Sequence, residues 1–288
     1  MKKHRLDTFK LYTQLFLLPD AARAAFFDRH FLQPFAPVFA RTGMPRSPEA
    51  LSCLPLSGAD TAAKEMLSRL KAADAWDRAE KAIAAAAAAF QKVDMAVPEE
   101  ITLGLFLGDP AKLAQSEGYT GIGSLPGYIQ IVIAPNERNM PKLPACIAHE
   151  YHHNVLFSHV TWNFIDVTLS QYLAVEGLAE NFAAECYGDI AIGPWVTGVS
   201  AEDVEKTRRI IGGALNVRGF MNVRPYIFGD HPLVAEGKTL GVPYCGGYAA
   251  GYYAVRAYLS QTGRSVAEAT RAFVSGADVI SQSGYFAT

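Results

Sequence analysis

The sequence predicts an α+β protein that is mostly helical, with a small mixed sheet between two helical regions. Helix-forming residues with apolar side chains three or four positions apart occupy most of the chain. Two stretches, 101–107 and 128–134, carry the alternating or continuous apolar patterns that are typical of strands. With 288 residues, 50% of them hydrophobic, the chain can bury a large core in one domain or in two lobes.

The N-terminal third of the chain is predicted to be helical. We expect an amphipathic helix over residues 5–17, a second helix over 21–31 and an alanine-rich helical stretch over 59–93. We therefore divide the sequence into a helical N-terminal region, 1–95, and a second region, 96–288. The alternative is that both regions form one continuous domain.

The period of the apolar pattern changes after this helical region. Apolar side chains occupy every second position from Ile101 to Leu107, and residues 128–134 form a second apolar run that ends at Pro135. Between these runs, turns are marked by Gly118, Gly121, Gly123 and Gly127. The pattern predicts two strands, and the second is a candidate edge strand.

Helices return after Pro141, which the first turn of a helix tolerates. Gly188 is placed to end one of them, and Ser265 with Glu268 forms a capping box at the start of the last clear helix. The three long helices predicted in this region cover residues 142–158, 166–186 and 244–261.

Composition argues against several classes of partner. A net charge of -2 and an isoelectric point near 6.4 give no electrostatic basis for binding nucleic acid or an anionic membrane. No uninterrupted apolar run is long enough to span a bilayer. The basic N-terminus resembles the start of a signal peptide, but Asp7, Lys10 and Gln14 interrupt the apolar segment that should follow. We expect a cytoplasmic protein.

The cysteines of the chain are widely spaced and form no C-x-x-C pair. Such spacing favours free, buried thiols over disulfides or zinc ligands. The cysteines are Cys53, Cys146, Cys186 and Cys245.

One segment, His149-Glu150-Tyr151-His152-His153, contains the pattern H-E-x-x-H inside a predicted helix. Histidines four positions apart point from the same face, so both imidazoles can bind one ion. Glu150, next to the first histidine, is placed to take a proton from a metal-activated water. The segment predicts a zinc site with a general base beside it.

A catalytic zinc ion usually has three protein ligands and a water, so a third ligand is needed. His159 would extend the pattern to H-E-x-x-H-x-x-Leu-x-x-H, but Leu156 favours a continued helix that carries His159 away from the ion. Glu176, inside the next predicted helix, is the stronger candidate. Both alternatives remain open from the residues alone.

Glu176 and Glu180 lie one turn apart on one face of that predicted helix. One carboxylate can bind the metal while Glu180 accepts the free N–H of a ligand histidine. Between them, Gly177 costs about 1 kcal/mol in a helix relative to alanine, which indicates close approach of another helix. We expect that neighbour to be the helix with the two histidines.

The motifs HEYHH, EGLAE and GYAAGY, at residues 149–153, 176–180 and 247–252, resemble those of the gluzincin group of zinc metallopeptidases. They resemble in particular a bacterial family of zinc-dependent proteases known mainly as a domain of unknown function. The resemblance covers residues 100–285. It implies a zincin-like fold for the second region, an active-site helix around His149 and His153, Glu176 as the third zinc ligand and Glu150 as the base, but no settled substrate. We expect that the substrate is a peptide or a protein.

Peptide hydrolysis places negative charge on the carbonyl oxygen, so a hydrogen-bond donor should face the metal. Tyr248 and Tyr252 lie one turn apart at a glycine-rich helix start, and either hydroxyl can serve. His231, in a predicted loop, is a third candidate. Gluzincins also bind extended peptides along an edge strand, a role that the resemblance gives to residues 128–134.

The resulting hypothesis is zinc-dependent peptide hydrolysis by a metal-activated water, with Glu150 as general base. Two alternatives remain. One is a non-catalytic binding or regulatory protein that keeps a zincin fold, and the other is a zinc-dependent hydrolase of a non-peptide amide. The pattern does not distinguish endopeptidase from aminopeptidase, and it predicts no oligomeric state.

Overall fold

A computed structural model of the chain describes residues 1–231 and 239–287. It is mostly helical with one small mixed sheet, which confirms the α+β class. The chain divides into two compact units, one of residues 1–88 and 97–155, the other of residues 89–96 together with the chain from Leu156 onward. The boundary at residue 95 drawn from the sequence stays a prediction.

The sheet has four strands in the spatial order β1-β2-β4-β3. β2 is parallel to both of its neighbours, β1 and β4, and β3 pairs antiparallel with β4. The strands are β1 (Lys2–Arg5), β2 (Glu100–Leu107), β3 (Tyr119–Ile122) and β4 (Tyr128–Ile133).

Two of these strands confirm the sequence prediction and two were missed. β2 and β4 match the apolar runs, but β4 lies between β2 and β3, so the prediction that residues 128–134 form an edge strand is wrong. The terminal strand on that side is β3. It was missed because it has four residues, one of them Gly121, between glycine-rich turns.

Helices make up most of the remaining chain. In chain order they are α1 (Thr8–Leu15), α2 (Asp20–Phe27), α3 (Ala36–Thr42), α4 (Asp60–Ala72), α5 (Ala75–Gln91), α6 (Leu143–His159), α7 (Leu169–Tyr187), α8 (Pro194–Thr197), α9 (Ala201–Gly212), α10 (Phe220–Phe228), α11 (Gly246–Thr262), α12 (Val266–Val274) and α13 (Val279–Gln282). The stretch predicted over 59–93 is two helices, because Asp74 adopts a left-handed φ of 48°. Gly188 ends α7 and the Ser265–Glu268 capping box begins α12, as predicted.

In the first unit, aromatic side chains of the N-terminal helices pack on one face of the sheet. Tyr12 and Phe31 are 4.5 Å apart at their ring centroids, and Phe35 packs against Phe106 of β2. The hydroxyl of Tyr12 accepts a hydrogen bond of 2.9 Å from the backbone N–H of Leu107. The aromatic side chains between residues 12 and 35 thus cover part of one face of the sheet.

In the second unit, α7 and α11 approach closely. A Cβ built at Gly177 would lie 2.3 Å from the carbonyl oxygen of Gly251, and one at Gly251 would lie 2.6 Å from that of Leu173. The amide of Asn181 donates to the carbonyls of Gly177 and Tyr252 at 2.8 and 2.9 Å. Gly177 does mark a close helix contact, but its neighbour is α11, so the expected contact with the histidine helix is wrong at this residue.

All four cysteines are free, as predicted; three are buried, whereas Cys186 is exposed. Among the described residues, no helix combines the length and the apolar character that crossing a membrane requires.

We expect Gly177→Ala to lower the free energy of unfolding by about 1–3 kcal/mol, because the added methyl group meets backbone that cannot move aside cheaply. The better helix propensity of alanine, worth about 1 kcal/mol, opposes this loss only in part. Urea unfolding followed by circular dichroism measures the change.

Gly213→Ala is the matched control, since its φ is -79° and the nearest atom to an added Cβ is 3.9 Å away. A Gly177 variant as stable as the Gly213 variant would contradict the close approach of α7 and α11.

Candidate metal centre

The two histidines of the H-E-x-x-H segment lie on one face of α6. Every residue from 145 to 156 is buried, and His149 and His153 are each 6% exposed. Their Nε2 atoms approach to 3.1 Å. Two ring nitrogens that converge this closely cannot both carry a proton directed at the other, so the pair suits a shared cation.

Glu150 lies against the terminal strand of the sheet. Its side chain is buried, and a Cβ built at Gly121 of β3 would lie 2.4 Å from Glu150 Oε1. A Cβ at Gly123 would lie 2.2 Å from the backbone oxygen of Glu150. The two glycines therefore let the strand pass directly beside the glutamate.

Asn154, which the sequence analysis overlooked, attaches α6 to the turn between β3 and β4. Its amide donates to the carbonyls of Gly123 and Tyr128 at 2.7 and 2.9 Å, and its Oδ1 accepts from the N–H of Gly127 at 2.7 Å. The signal available in the sequence was a polar residue beside the apolar Val155 and Leu156 in a predicted helix, because a buried amide needs hydrogen-bond partners.

The structure brings Glu176 together with the two histidines. Glu176 is half-buried on α7, and each of the three residues offers a ligand atom that lies within 4.8 Å of the others. His159, the competing third ligand, is absent from this group. It is exposed at the end of α6, where its Nε2 is 2.8 Å from the carbonyl oxygen of Ala96.

Tyr172, one turn before Glu176 on α7, is a neighbour that sequence reasoning missed. Burial, with the negative charge of Glu176 as the second cause, raises the pKa of Tyr172 well above its usual range. Its hydroxyl therefore stays protonated near the Glu176 carboxylate at physiological pH.

Glu180, which is predicted to accept the N–H of a ligand histidine, is buried one turn after Glu176. Its two oxygens accept hydrogen bonds from the N–H of Gly193 and the indole N–H of Trp195. Neither donor was predicted, because both lie after the end of α7, and no local pattern shows that the chain returns to Glu180. The proposed contact of Glu180 with a ligand histidine stays a prediction.

The three candidate oxyanion donors lie in different surroundings. Tyr252 is 3% exposed, and its hydroxyl accepts a hydrogen bond from the Arg256 guanidinium. Tyr248 is half-buried, with its ring packed edge-on to that of Phe228. His231 packs against Tyr244 in the loop after α10. Their roles stay predictions.

Two imidazoles and a carboxylate within reach of one ion form a possible zinc site. Comparison of the sequence with known protein families also indicates a zinc-dependent protein. The chain belongs to the family described as predicted Zn-dependent proteases (DUF2268), which matches residues 75–278.

Relatives of the chain occur in Bacillus subtilis (strain 168). The uncharacterized protein YjfC is 35% identical over 295 aligned residues, which cover 98% of both chains. The uncharacterized protein YjaZ is 29% identical over 125 residues, which cover 43% of this chain and 45% of YjaZ. No solved structure has significant similarity to the chain.

We expect Asn154→Ala to lower the free energy of unfolding by about 2–4 kcal/mol. The substitution leaves two carbonyls and one N–H without their partner, and each buried polar group without a partner costs about 1–3 kcal/mol before relaxation. Chemical denaturation measures the change.

Asn222→Ala, which removes one exposed hydrogen bond to the carbonyl of Arg218, is the control and should change stability by less than about 0.5 kcal/mol. Equal stability of the two variants would show that the Asn154 contacts do not hold α6.

Proposed function

We propose that this chain is a zinc metallopeptidase of the gluzincin type, with His149, His153 and Glu176 as zinc ligands. The observation that carries the proposal is the convergence of these three side chains, with Glu150 next to the first of them on α6. Membership in a family of predicted Zn-dependent proteases supports the same activity.

The three ligands fit zinc in kind, and the two histidines also fit it in spacing. Two nitrogens bound to a tetrahedral zinc ion at about 2.0–2.1 Å lie about 3.3 Å apart. The Nε2 atoms of His149 and His153 are 3.1 Å apart. Three protein ligands also leave one position for water. When bound, zinc supplies a Lewis acid and lowers the pKa of a coordinated water.

Glu150 acts as the general base and then as the general acid. It takes a proton from the attacking water and gives it to the amine that leaves when the peptide bond breaks. Gly121 of β3 leaves room for the Glu150 carboxylate, because a Cβ at position 121 would lie 2.4 Å from Glu150 Oε1.

A peptide substrate is supported by the position of β3. This terminal strand passes Glu150, and an extended peptide can add to such a strand through backbone hydrogen bonds. The edge that we propose for substrate binding is therefore β3 and not residues 128–134. It favours a peptide over other amides, and the intact set of ligands and base favours an enzyme over a non-catalytic relative.

Tyr248 is the better-supported donor to the oxyanion. The Tyr252 side chain belongs to a buried apolar cluster, and its hydroxyl already contacts Arg256. Tyr248, one turn earlier on α11, is half-buried. We assign the oxyanion role to Tyr248 and a structural role to Tyr252.

We expect Glu150→Gln to keep its zinc and to lose at least about 100-fold in peptide hydrolysis, the usual contribution of a general base. Elemental analysis gives the zinc content, and cleavage of a fluorogenic peptide library gives the activity. Glu65→Gln, an exposed change on α4, is the control. Wild-type activity in the Glu150 variant would exclude the proposed mechanism.

Zinc content also tests the third ligand. Purified wild-type protein should contain about one zinc ion per chain, as three-ligand catalytic sites do. Glu176→Ala should lose most of it, while His159→Ala should keep it, because His159 bonds to a backbone carbonyl instead. Loss of zinc in the His159 variant alone would reverse this assignment.

A further inference from the structure

The carboxylate of Glu180 is held by two donors, one on each oxygen. The N–H of Gly193 donates to Oε1 at 2.6 Å, and the indole N–H of Trp195 donates to Oε2 at 2.8 Å. The glutamate is 3% exposed. Rotation of the carboxylate about its terminal torsion breaks both bonds, so the two donors fix its plane.

Position 193 needs a glycine because a larger residue has no room there, and not because of its backbone conformation. Its φ of -69° and ψ of 160° are open to any residue. A Cβ at this position would lie 2.3 Å from Cε2 of the Trp195 ring. The indole lies across the glycine, and this arrangement lets both donors reach the same carboxylate.

The segment that carries these donors, residues 189–199, is itself attached to α11. Asp189 forms an ion pair of 2.9 Å with Arg256, which lowers the pKa of the Asp189 carboxyl. The same guanidinium donates to the hydroxyl of Tyr252.

An apolar cluster attaches the same segment to both helices. Ile192 and Val196 pack with Ala184 of α7 and with Ala249 and Tyr252 of α11, and Trp195 and Val199 pack against that cluster. The segment therefore has fixed contacts on both sides of the Glu180 donors.

We propose that Trp195 and Gly193 are positioning residues of the zinc centre, which act by fixing the Glu180 carboxylate towards a ligand histidine. This inference rests on the proposed function. A carboxylate accepts up to about four hydrogen bonds, so two donors do not exhaust the capacity of Glu180. A fixed carboxylate holds its histidine in one orientation and one tautomer, which strengthens metal binding.

Tyr252 has a structural role, which differs from the role proposed for Tyr248. Tyr252 joins Arg256 to the apolar cluster, so it supports residues 189–199 from α11. Burial raises the pKa of its hydroxyl, which therefore remains protonated at neutral pH. Tyr252 and Trp195 are thus parts of one support for Glu180.

Trp195→Phe tests the proposal, because it removes the indole N–H and keeps an aromatic ring. We expect zinc affinity to fall about 10-fold, the usual loss when a group that orients a metal ligand is removed. Competition with a chromogenic chelator at fixed pH measures the affinity. Trp76→Phe is the matched control. It removes an indole hydrogen bond of 2.9 Å to Thr8 Oγ1 in the other unit and should leave zinc affinity unchanged.

A double-mutant cycle separates positioning from general stability. If Trp195 acts through Glu180, the variant with both Trp195→Phe and Glu180→Ala binds zinc as Glu180→Ala alone does. Additive losses, or wild-type affinity in Trp195→Phe, would overturn the inference and leave the proposed function intact. A wild-type protein that binds no zinc would overturn the proposed function, and this inference with it.

Asp189→Asn provides a second route if Trp195→Phe does not fold, since Asp189 is exposed and its loss weakens only the attachment to Arg256. A fall of a few-fold in zinc affinity supports the inference, and an unchanged affinity overturns it.

Discussion

Three hydrogen bonds made by one side chain, Asn154, determine which way α6 faces. A helix buried over residues 145–156 has no solvent-exposed side to orient it, so its rotation depends on specific polar contacts. Asn154 supplies them at the turn between β3 and β4. Glu150, one turn earlier on the same face, then points to β3, while the two histidines project about 60–100° away from it around the helix.

The second helix of the candidate centre is oriented in a similar way. Asn181 joins α7 to α11 through two backbone carbonyls, and the glycines at 177 and 251 allow the approach that these bonds require. In both helices a buried asparagine directly follows a predicted site residue, His153 in α6 and Glu180 in α7. An asparagine amide is well suited to this position because it both donates and accepts, and therefore fixes a helix without adding charge.

Local patterns predicted the two apolar strands, the helices α1, α2, α4 to α7, α11 and α12, and His149, His153 and Glu176 as candidate ligands, but not α3, α8, α9, α10 or α13. They failed where the deciding contact is remote in sequence. β1 is exposed and basic along its whole length and has no apolar pattern to detect, and its register with β2 depends on residues about a hundred positions later. Gly177 signalled a close neighbour but not its identity. Trp195 reaches Glu180 only because the chain turns back after Gly188.

The short terminal strand has a consequence for self-association. An edge that accepts an extended peptide can also accept the same strand from another copy of the chain, which is how edge-to-edge aggregates begin. β3 offers four residues for such pairing, and one of them, Gly121, contributes no side chain to a shared surface. A four-residue edge offers a second copy few backbone hydrogen bonds, so the shortness of β3 acts against such pairing.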